Sequence, residues 1–317
     1  MLFQLKRLII TYGNPCKCLS RWEICFRRLQ YNLYWCRSWY LTPIDSSAWN
    51  QETPAHSFDM RFLGFSTLTI AAIHLLTANP IGALNPSVAP GGNFDMSYWE
   101  LQLPIGSTGS PETISSSSLQ GSNGYQDPGH HYFFTESGDG AMVMKVPGSP
   151  SSAGCVTTPN SLHCRTELRE ADPSTGKSNS WDPNAAINRM KATLIVTVPD
   201  DSEYGTVIGQ IHIDDSVSTK PVCELYYNSN GDITIGVEQT RAGGDEVFTS
   251  LGNVPVGTQF SYELEYSTNL LKVAINGVFQ TLNTYSLDAP LSYFKAGNYN
   301  QGDSPSDVHF FALTIQH

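Results

Sequence analysis

The sequence predicts an all-β fold, a jelly-roll β-sandwich of two antiparallel sheets with a concave substrate groove. About ten short runs of alternating or β-branched residues follow residue 94, with Gly, Pro, Asn and Ser between them. No run after residue 83 keeps a 3.6-residue period for more than about two turns, so helix content is minor. A chain of 317 residues can hold one such domain and an N-terminal appendage.

The N-terminal part divides at Met60. Residues 1–59 lack a clear period, and their four cysteines are poorly spaced for a disulfide or metal-binding module. Residues 60–83 carry one Arg, an apolar run of about 15 residues and small residues at the end, which is the layout of a secretory signal peptide. We therefore predict a mis-assigned or unstructured extension (1–59), a signal peptide (60–83), a linker (84–93), a β-jelly-roll domain (94–317) and an extracellular location.

Charge limits the possible partners. The formal net charge is −11, and the chain after residue 83 has 10 Lys and Arg against 25 Asp and Glu. This balance argues against nucleic acid, which is bound through many cationic side chains. A polyanionic substrate fits only if the few cations are concentrated at its site. Three of them, Arg165, Arg169 and Lys295, do lie in short motifs.

Three predicted strands each present a polar face, because successive side chains of a strand point to opposite sides. In RTELR this face has two arginines and a glutamate, and in GQIHI it has an amide and an imidazole. In YFKAGNYNQ it has a lysine, two phenols and a glycine that permits close approach. The residues are Arg165, Glu167, Arg169, Gln210, His212, Tyr293, Lys295, Gly297, Tyr299 and Gln301.

These motifs, in this order, resemble the signatures of the alginate lyases of polysaccharide lyase family 7. The stretch SYWELQLPIG (97–106) also resembles the start of that family's domain, so the similarity spans about 94–317. The resemblance implies a secreted lyase that cuts alginate by β-elimination and leaves 4,5-unsaturated uronate ends. It implies an acidic polysaccharide as partner, no cofactor, no membrane association of the mature form and, we expect, a monomer.

β-Elimination requires neutralisation of the C6 carboxylate, a base for the C5 proton and an acid for the departing O4. The resemblance assigns neutralisation to Arg165 and Gln210, the base to His212 and the acid to Tyr299. The residue types suit these tasks, since Arg pairs a carboxylate with two hydrogen bonds and a neutral His accepts a proton near neutral pH. It further implies that the substrate contacts are Glu167, Arg169, Lys295, Tyr293, Asn300 and Gln301.

Some residues outside the proposed chemistry, an amide, two aspartates and three cysteines, also allow predictions. Asn298 departs from the family pattern, which usually has an apolar residue there, and by parity it faces the core, where an amide needs partners. Asp214 and Asp215 could be a calcium site, but a solvated loop is favoured and no metal is expected. Secretion makes a Cys155–Cys164 disulfide plausible, while Cys223 is either a buried free thiol or a partner of one of them.

Other functions remain open at this point. A noncatalytic carbohydrate-binding jelly roll would need no His, Tyr and Arg set, and a glycoside hydrolase would need two carboxylates flanking the bond. A lyase for another polyuronate, such as glucuronan, has the same chemistry. Ile211 in QIH resembles the subgroup that accepts guluronate-containing blocks, so we expect a preference for polyguluronate or mixed blocks over polymannuronate.

Overall fold

The computed structural model describes residues 83–159 and 161–317. The predicted extension and signal peptide lie outside these residues. Within them, fifteen strands and a few one-turn helical segments account for the regular structure. The strands are β1 (Trp99–Ser107), β2 (Ser110–Ile114), β3 (Phe133–Thr135), β4 (Met142–Val146), β5 (Arg165–Glu170), β6 (Arg189–Val198), β7 (Thr206–Ile213), β8 (Pro221–Tyr227), β9 (Asp232–Val237), β10 (Val247–Asn253), β11 (Phe260–Ser267), β12 (Leu270–Ile275), β13 (Val278–Thr281), β14 (Ser292–Tyr299) and β15 (Ser306–Gln316).

The helical segments are short and lie between strands. They are α1 (Pro90–Asn93), a 3₁₀ turn at Met96–Tyr98, α2 (Ser116–Leu119) and α3 (Pro150–Ala153). In the part of the chain that the structure describes, none of them is long and apolar enough to span a bilayer. The prediction of minor helix content is confirmed.

Two sheets form the sandwich, as predicted. The eight-stranded sheet has the order β10-β9-β8-β7-β14-β5-β1-β2, and the seven-stranded sheet has the order β13-β12-β11-β6-β15-β4-β3. Neighbouring strands in both sheets pair antiparallel. The three motif strands β5, β14 and β7 are therefore adjacent near the middle of one sheet.

The hydrophobic core lies between the sheets and explains this arrangement. Ile211 on β7 and Phe294 and Ala296 on β14 are fully buried, together with Leu264 and Phe310 from the other sheet. Burying the Ile, Leu and Phe side chains contributes about 1.5–3 kcal/mol each. Alternation along β7 and β14 then sends Gln210, His212 and Lys295 to the opposite face, where a cleft forms.

Asn298 shows how the strand tolerates an amide on its core side. Its Oδ1 accepts hydrogen bonds from Thr206 Oγ1 at 2.6 Å and Ser306 Oγ at 2.8 Å, and its Nδ2 donates to the Met144 carbonyl at 3.0 Å. A buried amide with these partners is satisfied. The departure from the family pattern is therefore accommodated by hydroxyl groups on β7 and β15.

Candidate active site

A cleft of about 620 Å³ lies on the face of the eight-stranded sheet that points away from the core. Its floor comes from β5, β7, β8 and β14, and a loop before β5 forms part of its wall. Eight of the ten predicted active-site and substrate-contact residues line it, and these are Arg165, Glu167, Arg169, Gln210, His212, Tyr293, Lys295 and Tyr299. The register explains this, since Lys295 pairs with Arg169 on one side and Gln210 on the other.

Glu167 is the centre of a buried network in the cleft floor. Its carboxylate receives Lys295 Nζ at 2.5 Å, Arg165 Nη1 at 3.1 Å and Gln210 Nε2 at 2.5 Å. Burial alone would raise the pKa of Glu167, but Lys295 and then Arg165 hold it below its usual range. The glutamate thus stays ionised and fixes three groups that can bind a substrate carboxylate.

Gly297 is opposite Glu167 in the β14–β5 pair. A Cβ at this position would lie 2.7 Å from the Glu167 Cα and 2.6 Å from the Thr166 carbonyl oxygen. Such contacts are too close for any side chain. The glycine therefore permits the tight pairing that aligns Arg165 with Tyr299 and Arg169 with Lys295.

Tyr299 is held between a guanidinium and a hydroxyl. The Arg165 guanidinium carbon lies 3.6 Å from the ring centroid, and the phenol oxygen is 3.0 Å from Ser161 Oγ. Ser161 Oγ also donates to the His163 carbonyl at 3.0 Å and accepts from Arg165 Nη2 at 3.1 Å. Since its only hydrogen goes to the carbonyl, Ser161 accepts from the phenol. Burial raises the pKa of Tyr299, so the phenol keeps its proton at neutral pH.

His212 has a defined tautomer. Its Nδ1 is 2.7 Å from the Ile213 carbonyl oxygen, which can only accept, so Nδ1 carries the hydrogen and Nε2 is free to take a proton. The ring stacks on Tyr293 with centroids 5.0 Å apart. Burial and then the positive charge of Lys295 lower the pKa of His212 to about 3, so the imidazole is neutral at neutral pH.

Arg169 and Tyr293 form a second contact set at the cleft. Arg169 Nη1 pairs with Asp215 Oδ2 at 2.9 Å, and its guanidinium carbon lies 4.2 Å from the Tyr293 ring centroid. The Tyr293 hydroxyl donates to Asp215 Oδ1 at 3.1 Å. Asp215 thus organises this arginine, and Asp214 accepts from Ser216 in a local turn. No cluster of three metal-ligating side chains occurs among residues 83–159 and 161–317.

Asn300 and Gln301 are not among the residues that line the cleft. The strand β14 ends at Tyr299, and Asn300 Nδ2 then donates to the carbonyls of Gly302 at 3.0 Å and Ser304 at 3.1 Å. Gln301 Nε2 donates to the Tyr299 carbonyl at 3.3 Å. The chain turns at this point, so alternation no longer directs these side chains. Their contact with substrate stays a prediction.

The predicted cysteine pair is a disulfide in the structure, with Cα atoms 6.2 Å apart, and Cys223 is a buried free thiol. The Cys155–Cys164 loop contains Ser161, which contacts two cleft residues. Sequence patterns did not indicate Ser161, because a loop serine carries no periodic signal. For Asp215 the sequence favours a solvated loop over a calcium site, although its position just after the QIH strand is a usable signal for a place at the cleft.

Comparison with known proteins identifies the family. A family model described as "Alginate lyase" matches residues 94–317. The chain belongs to the alginate lyases of polysaccharide lyase family 7. It is 27% identical over 293 residues to an alginate lyase of Klebsiella pneumoniae, which covers 72% of this chain and 91% of that protein.

Solved structures of family 7 lyases have the same fold. Alginate lyase A1-II′, in a complex with product, is 30% identical, covers 73% of this chain and 99% of its own, and superposes with a TM-score of 0.61. The alginate lyase PA1167 of Pseudomonas aeruginosa is 30% identical, covers 70% of this chain and 99% of its own, with a TM-score of 0.59. The present protein is therefore a polysaccharide lyase of this family, with a jelly-roll fold.

Proposed function

We propose that this lyase cleaves alginate by β-elimination in the described cleft, with Arg165 and Gln210 neutralising the C6 carboxylate. The observation that carries the proposal is the convergence, in one cleft, of a cationic network, a neutral His212 with a free Nε2 and a protonated Tyr299. These are the three roles that elimination requires.

In the proposed reaction, one proton is removed from C5 and another is delivered to O4. His212 Nε2 takes the C5 proton, the electron pair forms the C4–C5 double bond, and the C4–O4 bond breaks. Tyr299 gives its proton to the departing O4. The products are one chain with a new hydroxyl and one with a 4,5-unsaturated uronate end. Solvent then returns the proton from His212 to the phenolate.

The low pKa of His212 in the free enzyme fits this sequence of events. A substrate carboxylate near Lys295 and Arg165 would cancel part of their positive field, so the pKa of His212 rises as the substrate binds. The base is then unprotonated before binding and stronger during the reaction. Arg169, Lys295 and Tyr293 complete the proposed substrate contacts, and Glu167 positions Arg165, Lys295 and Gln210.

Two structures of one relative support the assignment of the proton-transfer residues. A1-II′ was solved with product (GGG) after a tyrosine-to-phenylalanine change, and with substrate (GGMG) after that change and a histidine-to-asparagine change. Both substitutions involve the residue types assigned here at His212 and Tyr299. We propose that they act in the same roles in this chain.

For the substrate, we propose a preference for polyguluronate or mixed blocks. Ile211 is fully buried in the core, so it acts only by positioning Gln210 and His212. Parallel incubation with polyguluronate, polymannuronate, mixed alginate and glucuronan, followed by the ultraviolet absorbance of the unsaturated uronate, tests both the reaction and the preference. Faster cleavage of polymannuronate would contradict the preference, and activity confined to glucuronan would contradict alginate as substrate.

We also propose that residues 84–317 contain the whole catalytic unit and that the protein is secreted after cleavage of residues 60–83. Support comes from the location of every described strand and cleft residue after residue 84. The fragment 84–317 should keep full activity, also in EDTA, and the mature N-terminus should lie near Leu84. An inactive or unfolded fragment, or a mature N-terminus well before Leu84, would contradict this organisation.

A further inference from the structure

One end of the cleft carries acidic side chains that the proposed reaction does not use. We call Glu224, Glu238 and Glu246 the carboxyl cluster. All three line the cleft, on or next to β8, β9 and β10. A row of carboxylates is unexpected in a cleft that binds a polyanion, because each ionised group would repel it. The cluster therefore needs an explanation in terms of its protonation and its partners.

The two contacts of Tyr226 indicate that the cluster holds a proton. The Tyr226 hydroxyl is 2.6 Å from Glu224 Oε2 and 2.8 Å from Glu246 Oε2. A phenol has one hydrogen, so it donates to one carboxylate and must accept from the other group. The second contact is a hydrogen bond only if that carboxyl is protonated. Glu224, Tyr226 and Glu246 thus share two hydrogens among three groups.

The backbone is adapted to this contact. Gly236 on β9 lies between Glu224 on β8 and Phe248 on β10 in the strand pairing. The Glu246 side chain crosses β9 at this glycine, and a Cβ there would overlap its Oε2 atom. The missing side chain therefore lets Glu246 reach Tyr226 across an intervening strand.

Two oxygen atoms of the cluster lack partners within the described residues. They are Glu238 Oε2 and Glu246 Oε1, and Glu238 is only 4% exposed. A buried carboxyl oxygen requires a hydrogen-bond donor. The ring hydroxyls of a sugar supply such donors, whereas a uronate carboxylate supplies none. We propose that the carboxyl cluster is a saccharide subsite that binds ring hydroxyls of the polyuronate and accepts the chain only while it keeps its shared proton.

The inference rests on the proposed polyuronate substrate and adds a pH limit to it. Burial and then Glu224 raise the pKa of Glu246 to about 8, and burial also raises the pKa of Glu224. Below that pH the cluster keeps its proton, and above it a further negative charge faces the substrate. The charged and titratable groups around the cluster are Lys220, Tyr226, Asp245, Lys295, Arg165 and Glu167.

Binding of a saturated alginate oligosaccharide, measured by calorimetry in EDTA at about pH 7 and about pH 9.5, tests the subsite. The Tyr299→Phe background prevents turnover. Glu246→Gln mimics the protonated carboxyl, and Glu265→Gln on β11 is the matched control, since it makes the same substitution outside the cleft. Thermal unfolding at both pH values shows that each variant is folded.

We expect Kd to rise between the two pH values in all three proteins. The rise should be about three- to tenfold larger in the background protein and the control than in Glu246→Gln, because only Glu246 can add a negative charge near the bound saccharide. Lys295, whose pKa is lowered by burial to about 8, contributes the same rise to all three. Parallel rises in all three proteins would overturn the subsite alone. Absence of binding in every protein would overturn the proposed function and the subsite together.

Glu238→Ala gives an independent test of the hydroxyl contacts. Removing this acceptor should weaken binding about three- to tenfold at both pH values, as expected for one lost hydrogen bond. Unchanged or tighter binding would mean that Glu238 only repels the chain, and would overturn its role in the subsite.

Discussion

In the eight-stranded sheet, the two ion pairs that Glu167 makes on the face away from the core are almost completely buried, whereas the seven-stranded sheet has a comparable pair on a partly exposed surface. The side chains of Lys295 and Glu167 are 9% and 1% exposed, but those of Lys272 and Glu265 are 30% and 18% exposed. Both pairs join strand residues at 2.5 and 3.0 Å, respectively. The difference is in their surroundings.

The buried pair is part of a functional network, and the exposed one is a local surface contact. Glu167 fixes Lys295, Arg165 and Gln210 at once, and burial shifts the pKa values of Lys295 and His212 downward. Glu265 contacts Lys272 alone among the described ion pairs. Perturbed pKa values and shared ion pairs therefore distinguish the face of the proposed active site from the surface of the other sheet.

The largest expected effect is on the two proton-transfer residues. Tyr299→Phe keeps the ring under the Arg165 guanidinium but removes the proposed acid, and His212→Asn removes the proposed base. General acids and bases contribute about 10²- to 10⁴-fold each, so kcat should fall by at least about 10²-fold. Steady-state kinetics on alginate measure this, with circular dichroism as the folding control. More than about a tenth of wild-type kcat in folded Tyr299→Phe would exclude the phenol as the acid.

The next largest effect is expected on the free energy of unfolding when Glu167 and Glu265 are each replaced by Gln. Glu167→Gln leaves two buried cations without their counterion, and such a change costs about 3–5 kcal/mol of unfolding free energy. Glu265→Gln breaks a partly exposed pair and should cost about 0–1 kcal/mol. Urea unfolding of both variants gives the two values. Equal losses would remove the distinction between the two sheets.

A smaller effect, on KM, is expected when Lys295 and Lys272 are each replaced by Ala. Lys295→Ala should raise KM about tenfold at low salt, and less at high salt, where its attraction for the polyanion is screened. Lys272→Ala, outside the cleft, is the control and should leave KM unchanged. Lys295 is charged below its pKa of about 8 and neutral above it. The KM ratio of Lys295→Ala to wild type should therefore shrink as pH rises through 8.

The smallest effect concerns the loop that carries Ser161. Replacing Cys155 and Cys164 together by Ser opens a short loop, which lowers the unfolding free energy by about 2–3 kcal/mol in the loop-closure model. We expect only a few-fold loss in kcat, because Tyr299 keeps its contact with Arg165. A loss as large as that of Tyr299→Phe would show that Ser161 is as important as the phenol itself.

Much of the fold followed from the sequence because most strands bury one face. Strands β1, β2, β10 and β13 were missed as strands. β10 and β13 pair with a single neighbour at the sheet edges and have no buried residues, so the apolar signal that marks the core strands is weak there. In β1 the apolar alternation is present, within the stretch that resembles the start of the family's domain.

The cleft could be predicted only where it lies on single strands. Alternation along each strand predicts that Gln210 and His212 share one face of β7 and that Arg165 and Glu167 share one face of β5. The structure places both strands next to β14, with these faces on the same side of the sheet. The contact of Glu246 with Tyr226 depends on a side chain crossing an entire strand, and no local pattern encodes that. The partners of Asn298 likewise come from residues far away in the chain.

The most direct test of β-elimination in the cleft is the stoichiometry of the products. Wild-type enzyme acts on alginate while new reducing ends and unsaturated uronate absorbance are counted in the same samples. We predict one unsaturated end for each new reducing end, and the loss of both together in Tyr299→Phe. Reducing ends that form without the absorbance would mean hydrolysis, and would contradict the assignment of His212 as the C5 base.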